Sequence, residues 1–529
     1  MLREAGIRLL VTNVRQLRGY FSADPGDIYA GSCSKFRNFS LYLLPALSTF
    51  SIVTVEVKDV LYHPDFQDLG MKLGSKIVCV EVLGQPIIVI NDAQIATDLL
   101  EKRSTIYSSR PPNRMVVEVI GVNWLFGLLP YGEEWRNHRR IFQQHFSTKF
   151  TPREQETTIR FIRKGLLANL YRHPRGLNDH VEGCIGGLSL SMTYGIPVQR
   201  CNDPLVRESN EAVAIVAGAS SPGKYLVNVI PALKHVPRWL PGAGFKRWAP
   251  VAYAKLLRVR DKPYEEALKR VNDGTAPESF VSTTLEYYKG REDFGVGKER
   301  IRQAASQITL AAVDSTISSI MTFILTMLKY PDIQHKVQQE LDSVVGSDRL
   351  PEFSDRDNLP YLTAVLKEVF RWNPIAPMGI PHSTNQDDFY EGYSIPQGAI
   401  VMANTYAILQ DEERFPNPKD FNPDRFIENG VLKDNVLDPF VVASFGFGRR
   451  ICPGSHIGLS VFFLAAASLL SVFDISPALD QDGKPIDVEP QFIGASLVSE
   501  VLPFPYTITP RQGKNVKALL QEHLDVELL

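Results

Sequence analysis

Cysteine is scarce in this chain of 529 residues, which contains only Cys33, Cys79, Cys184, Cys201 and Cys452. These five are scattered along the sequence and form no Cys-x-x-Cys pair. Such sparse spacing argues against both a disulfide framework and a structural zinc site, since His456 is the one nearby second ligand for Cys452. The cysteine content therefore indicates a reducing compartment.

An excess of charge of one sign is also absent. The formal net charge is -2 at pH 7, so the overall balance gives no reason to expect a nucleic-acid partner. We find no internal repeat and no low-complexity tract. Hydrophobic residues make up 44% of the chain, which is ample for a large buried core, and the length makes more than one compact domain the default expectation.

The N-terminal part has no clear membrane anchor followed by a proline-rich hinge. Residues Phe39 to Val55 are uncharged and mostly apolar, but this run is at the short limit for a membrane span, and Pro45 interrupts it. Two interpretations stay open at this point, a membrane anchor and a buried or irregular segment.

The most informative stretch is the glycine-rich, cationic loop of residues 445–454, which contains Cys452. Neighbouring arginines and the N-terminus of the apolar helix predicted from Ile457 to Phe473 would favour a thiolate there. Pro453 suits the first turn of such a helix. From these residues alone, the cysteine is a nucleophile, a metal ligand or an inert core residue.

The spacing of this loop, Phe-x-x-Gly-x-Arg-x-Cys-x-Gly, closely resembles the haem-binding loop of the cytochrome P450 family. The matching residues are Phe445, Gly448, Arg450, Cys452 and Gly454. The resemblance implies that Cys452 is the proximal thiolate ligand of haem iron, and that Phe445, Arg450 and Gly454 help to hold the cofactor, haem b.

A second resemblance lies in the stretch from Lys298 to Leu328, which has neither proline nor glycine and predicts one long helix. At its centre, Asp314, Ser315 and Thr316 lower helix propensity, which marks a site, a kink or a harmless polar face. The run resembles the family's Ala-Gly-x-Asp-Thr-Thr segment, so Asp314 and Ser315 are the implied proton relay. Ala312 and Ser315 depart from the usual glycine and threonine.

Two further resemblances concern the carboxylates of haem. Trp135 and Arg139 share one helix face, and they resemble the family's helix that hydrogen-bonds a haem propionate, although a surface helix with a basic face is the alternative for this segment. His382, in a proline-rich extended stretch, occupies a position that commonly meets a propionate in the family. The alternative for His382 is an ordinary polar contact.

The last resemblance is structural. Glu368 and Arg371 are three apart on an apolar helix predicted from Leu359 to Trp372, and they resemble the family's Glu-x-x-Arg pair. Arg425 is the implied partner from a later loop. We predict that the three form one buried network that supports the fold and takes no part in catalysis.

Together these matches imply a mainly α-helical fold with a small β region, the cytochrome P450 fold. We expect a haem domain over residues 65–515, an N-terminal segment over residues 1–64 and a C-terminal tail over residues 516–529. The resemblance is greatest to fungal secondary-metabolism members, whose relatives oxidise terpenes, polyketides or indoles.

The implied activity is insertion of one oxygen atom of O2 into a small organic substrate. Electrons are expected from NADPH through a separate NADPH-cytochrome P450 reductase, because no flavin or nicotinamide fingerprint follows the haem domain. The resemblance also implies a location on the cytosolic face of the endoplasmic reticulum membrane. Two alternatives stay open: a reductase-independent haem-thiolate isomerase or peroxide-using enzyme, and a non-catalytic haem-binding paralogue.

Overall fold

A computed structural model describes residues 8–13, 51–56, 63–146, 150–199, 201–221, 224–291, 294–493 and 497–524. Its helices are α1 (His63–Leu73), α2 (Ala93–Ala96), α3 (Ser104–Tyr107), α4 (Glu133–His145), α5 (Pro152–Arg160), α6 (Ala168–Arg172), α7 (Leu177–Tyr194), α8 (Pro204–Ser220), α9 (Gly244–Asn272), α10 (Phe280–Tyr288), α11 (Phe294–Lys329), α12 (Pro331–Val344), α13 (Pro360–Trp372), α14 (Thr405–Leu409), α15 (Ser455–Val472) and α16 (Val516–Leu524).

The strands are short, and those described lie either in one six-stranded sheet or in two-stranded sheets. They are β1 (Arg8–Asn13), β2 (Ser51–Glu56), β3 (Ile77–Val82), β4 (Gln85–Ile90), β5 (His382–Ser383), β6 (Asp388–Tyr390), β7 (Tyr393–Ile395), β8 (Ile400–Ala403), β9 (Ile427–Glu428), β10 (Val431–Leu432), β11 (Phe473–Pro477), β12 (Phe492–Ile493), β13 (Glu500–Val501) and β14 (Tyr506–Pro510). The expectation of a mainly α-helical chain with a small β region is confirmed.

The largest sheet has the order β2-β1-β3-β4-β8-β5. Strands β3 and β4 form the antiparallel hairpin that their β-branched runs predict, with Ile77 opposite Ile90. Strand β8 pairs with β4 in parallel and with β5 antiparallel. His382, at the start of β5, is thereby fixed beside this sheet.

Helix α11 runs through the centre of the fold. Its first half contributes Ile301, Ala304 and Ala305 to a core with α4, α7 and α10, and its second half packs in the main core with α13 and α15. The buried part of the helix is mostly hydrophobic, although Ser318, Ser319 and Thr322 are buried shortly after the polar run at its middle. The observed helix begins four residues before the predicted start, at Phe294, and ends one residue after the predicted end, at Lys329.

Helices α11 and α15 are long and apolar enough to cross a membrane, judged by length and composition. Buried residues make up 56% of the most apolar window of α11 and 72% of that of α15. This is the burial expected of core helices. The predicted anchor candidate, Phe39 to Val55, lies mostly outside the described residues, although β2 overlaps its end.

The polar stretch from Asn272 to Gly297 is typical of a surface connection in sequence, but in the structure it contains α10 and the start of α11. Ser279 caps α10 by accepting from the N–H of Ser282, and Phe280 and Val281 are fully buried at its start. A helix with this short apolar stripe is concealed in the sequence by the charged residues that flank it.

Candidate functional site

The loop that carries Cys452 is closed by its own backbone. A single 3₁₀ turn, Gly448–Arg450, precedes the cysteine, and α15 begins just after it. The N–H of Cys452 donates to the carbonyl of Phe445 over 2.8 Å. Gly454 precedes the first residue of α15, so the sulfur lies near the positive end of that helix.

Gly448 explains why the loop needs glycine at that position. Its φ of +55° lies in the left-handed region, and a Cβ there would collide with the backbone oxygen of Leu100. The close approach packs the cysteine loop against the helical segment that continues α2. Any side chain at Gly448 would therefore displace the loop.

The surroundings of the Cys452 thiol have opposing effects on its ionisation. The side chain is accessible on one side, yet protein atoms crowd it closely, and this desolvation raises the pKa of the thiol above its ordinary value. The N–H of Gly454 and the guanidinium of Arg139 act in the opposite direction. Coordination to a metal would release the thiol proton, because thiolate is the ligand form.

Arg450 extends from this loop into a buried position, where 9% of its surface is exposed. Its Nε donates to the carbonyl of Ser108 over 2.7 Å, and its Nη2 donates to that of Leu129 over 2.8 Å. The guanidinium lies 4.5 Å from the ring centre of Trp135. Its Nη1 is buried and has no hydrogen-bond partner within the described residues.

Arg110 is a buried cation of the same cluster that the sequence analysis missed. Its Nη1 donates to the carbonyls of Ile380 and Pro381 over 2.7 and 2.8 Å. Burial, with the charge of Arg450 nearby, lowers the pKa of Arg110 to about 9. Burial likewise lowers the pKa of Arg450 to about 10. In the sequence, Arg110 is marked only by its position between the residues of α3 and two consecutive prolines.

His382 belongs to this cluster through its electrostatics. Its Nδ1 lies 2.7 Å from the carbonyl oxygen of Tyr107, and because a carbonyl only accepts, Nδ1 carries the proton in this arrangement. Burial, with Arg110 and Arg450 nearby, lowers the pKa of His382 well below its usual value. The ring is therefore neutral, and Nε2 is its remaining polar atom.

These groups fit the carboxylates of haem. In the described part of the chain, Arg110 and Arg450 contact backbone carbonyls and an aromatic ring, with no carboxylate as counter-ion. Buried cations require an anion. Nη1 of Arg450 is a buried donor without a protein acceptor there, so the set suits a dianionic ligand.

Arg139, the other predicted propionate partner, lies on α4 next to the cysteine loop. Its Nη1 donates to the carbonyl of Ile451 over 2.7 Å. Its Nε and Nη2 make no hydrogen bond within the described residues, so they are free to meet a carboxylate. The structure thus brings Trp135, Arg139, His382 and Arg450 to one region, with Phe445 and Gly454 in the cysteine loop.

The predicted relay residues lie at the middle of α11. The hydroxyl of Ser315 donates back to the carbonyl of Ala311 over 3.1 Å, which offers that carbonyl a second partner besides the helix ladder. Ala311 is exposed although it lies in the middle of a core helix. This face of α11 therefore borders open space, and Ser315 is on the same row, four residues further on.

Asp314 is half-buried beside Ser315. Desolvation, followed by the nearby carboxylates of Glu500 and Glu182, raises its pKa to about 7. An acid that titrates near neutrality can both donate and accept a proton under cellular conditions. This property distinguishes Asp314 from an ordinary surface aspartate.

Glu368 and Arg371 form a bidentate pair with no exposed surface on either side chain. Arg371 donates from Nε over 2.6 Å and from Nη2 over 2.9 Å. The N–H of Asn422 donates to Glu368 over 2.7 Å, and Arg425 lies 3.5 Å from the same carboxylate oxygen. All three predicted residues are thus in one buried network.

Comparison with known proteins gives a consistent result. The family described as Cytochrome P450 matches residues 50–501. The chain is 42% identical over 443 residues to cytochrome P450 monooxygenase ple1 of Rhodocybe pseudopiperita, covering 84% of both chains. It is 38% identical over 455 residues to the tryptamine 4-monooxygenase of Psilocybe cyanescens, covering 86% of this chain and 89% of that one.

Proposed function

The chain belongs to the cytochrome P450 family and is a monooxygenase, and on this premise we propose that it oxidises a small apolar or aromatic substrate in fungal secondary metabolism. A terpenoid, a polyketide or an indole is the substrate class. The overall reaction consumes the substrate, O2, two electrons and two protons, and it yields the oxygenated product and one water. Residues 65–515 are the proposed haem domain.

The family implies a haem-thiolate cofactor, and haem b is the proposed form. When bound, the haem supplies oxygen activation, with electron donation from the thiolate. Cys452 is the proposed iron ligand. Trp135, Arg139, His382 and Arg450 would hold the propionates, and Phe445 and Gly454 would shape the cysteine loop.

The proposed role of Asp314 and Ser315 is to move protons. Asp314 in its acid form gives a proton toward a water held at the Ser315 hydroxyl, and it regains a proton from solvent. Ser315 holds this water because its hydroxyl can donate to the Ala311 carbonyl and still accept. Serine lacks the methyl that restricts the rotamer of threonine, so its hydroxyl is less firmly oriented than that of a threonine would be.

Family members use O2, a substrate and a redox partner. For this chain, the proposed partner is the NADPH-cytochrome P450 reductase, and the proposed location is the cytosolic face of the endoplasmic reticulum membrane. The observation that carries the proposal is the pairing of an accessible cysteine loop with buried cations that lack a counter-ion.

A reductase-supported turnover assay tests the proposal, with NADPH consumed and product formed counted together. The substrate is sought by metabolite profiling of a host that expresses the chain with its genomic neighbours. Turnover that needs no reductase would favour the isomerase or peroxide-using alternative. Haem binding without any turnover across that profile would favour the non-catalytic paralogue.

A further inference from the structure

The surroundings of Asp314 contain a group of carboxylates that no motif of the family explains. Among the described residues, the charged groups that act on Asp314 are Glu500, on β13, and Glu182, on α7. No cation acts on it there. A half-buried carboxyl that faces two other carboxyls is disfavoured in its ionised form, both by desolvation and by like charge.

Glu500 follows a residue that is hydrogen-bonded to the same face of α11 as Asp314. Asp314 and Ser318 lie four residues apart on one face of α11. The hydroxyl of Ser318 donates to the carbonyl of Ser499, and the N–H of Ser499 donates to the carbonyl of Ile375 over 2.8 Å. Because Glu500 directly follows Ser499, its position along α11 is fixed by these bonds.

Glu182 comes from a different element of the fold. It lies on α7, which packs along α11, and the side-chain amide of Asn210 on α8 donates to its Oε2 over 3.1 Å. Asp179, one turn earlier on α7, adds a further like charge to Glu182. Glu182 and Glu500 are both exposed residues, whereas Asp314 is half-buried.

The three carboxyls therefore form a gradient from solvent to the middle of α11. The outer two can exchange protons with water directly. The inner one adjoins Ser315, whose hydroxyl is on the accessible row with Ala311.

We propose that Glu182 and Glu500 are positioning residues that favour the protonated form of Asp314 and return a proton to it from solvent. This rests on the proposed function, since Asp314 is useful as an acid only if its neighbour Ser315 relays a proton. With cations in place of the two glutamates, Asp314 would be ionised at neutral pH and would have no proton to give.

The test is an infrared pH titration of the haem-loaded full chain, which requires no substrate. The band of protonated Asp314 is identified as the carboxylic-acid C=O stretch that the parent shows and Asp314→Asn lacks. Its loss with rising pH gives the titration midpoint, which we expect at about 7 in the parent. The variants are Glu182→Gln, Glu500→Gln and the double substitution.

Each single variant should shift the midpoint toward acid, and the double variant should shift it by about half a pH unit or more, because a like charge is removed each time. The matched control is Glu211→Gln, an exposed carboxylate of α8 that pairs with Lys255 over 2.7 Å and does not act on Asp314. The control should leave the midpoint unchanged.

An unchanged midpoint in the double variant would overturn the proposal, as would an equal shift in Glu211→Gln. Failure of the proposed function would be seen separately, in the carbonyl spectrum of the same samples and in the turnover assay. Since the glutamates are exposed and the glutamine replacements keep their size, haem loading of each variant should equal that of the parent.

Discussion

Arg139 donates a hydrogen bond of 2.7 Å from Nη1 to the carbonyl of Ile451, the residue that directly precedes Cys452. Trp135, one turn earlier on α4, lies under the guanidinium of Arg450, which belongs to the same loop as the cysteine. Helix α4 therefore fixes both the cysteine loop and the cationic cluster. A shift of this helix would change the position of the proposed iron ligand and that of the proposed propionate donors together.

The first prediction concerns retention of the cofactor by Arg450. Arg450→Lys keeps a charge but loses the planar donor fork that reaches Ser108 and Leu129. The loss of one charge-assisted hydrogen bond at about 1.5–3 kcal/mol should accelerate haem loss by roughly tenfold or more. The measurement is the rate of haem transfer to apomyoglobin.

The control for this prediction is the adjacent Arg449→Lys. Arg449 is exposed and donates to the hydroxyl of Tyr131 over 2.6 Å, so its replacement should leave the rate of haem loss unchanged. Equal rates for the two variants would show that buried charge at position 450 has no special part in holding the cofactor.

The second prediction concerns the stability given by Glu368. Glu368→Ala leaves Arg371 with a buried, uncompensated charge, at a cost of about 3–5 kcal/mol in the free energy of unfolding. The variant should fail to accumulate as holoprotein. Yield of haem-loaded protein and denaturant unfolding are the measurements.

The matched control is Glu286→Ala. Glu286 pairs with Lys289 at the same three-residue spacing over 3.2 Å, but both side chains are 70% exposed. Such an exposed pair contributes little to stability, so the control should behave as the parent. Stable, fully loaded Glu368→Ala protein would contradict the buried placement.

The third prediction concerns coupling at Ser315. Ser315→Ala should bind haem and substrate as the parent does, yet divert electrons from NADPH to hydrogen peroxide. The reason is that the water that passes on the proton would no longer be held by the Ser315 hydroxyl. Ser315→Thr should couple NADPH consumption to product formation at least as well as the parent, unless the methyl of Ala312 leaves too little room for oxygen to bind. Product and peroxide per NADPH are measured in parallel, with Thr316→Ala as the neighbouring control.

If Ser315→Ala leaves the product-to-NADPH ratio unchanged, the relay assignment is wrong. A large loss of coupling in Thr316→Ala, with none at Ser315, would transfer the role to Thr316.

The fourth prediction is a pH dependence of stability that arises from Asp314. Its folded-state pKa, about 7, lies above the ordinary value of 3.8, so the folded protein binds the extra proton between those values. The resulting contribution to stability is present below about pH 4, and it is lost as the pH rises through about 7. Asp314→Asn should therefore stabilise the fold at pH 8, by roughly 1–3 kcal/mol, and by less at pH 5.5.

Chemical unfolding of parent and variant at both pH values checks this. The same difference between them at pH 5.5 and at pH 8 would mean that Asp314 titrates as an ordinary aspartate.

Local sequence patterns predicted much of the fold and some of the candidate site. The long helix around Asp314, the hairpin of β3 and β4, and the Glu368–Arg371 pair are all set by residues close together in the sequence. Arg110 was missed because its role comes from contacts with Ile380 and Arg450, which are hundreds of positions away in the chain. Long-range contacts of this kind leave no periodic signal.

The carboxylate neighbours of Asp314 illustrate the same limit. Glu182 and Glu500 read as ordinary surface residues in the sequence, and only the packing of α7 and β13 against α11 brings them to Asp314. The α10 helix escaped prediction for a different reason, since its buried stripe around Phe280 is too short to outweigh the polar residues on either side.

The central claim, that Cys452 ligates haem iron, is tested most directly by the absorption spectrum of the ferrous carbonyl complex of the intact, folded protein. The account predicts the strongly red-shifted Soret band that gives the family its name, and the loss of that band, with much of the bound haem, in Cys452→Ala. An unshifted carbonyl band in the parent, like that of a histidine-ligated haem, would contradict it.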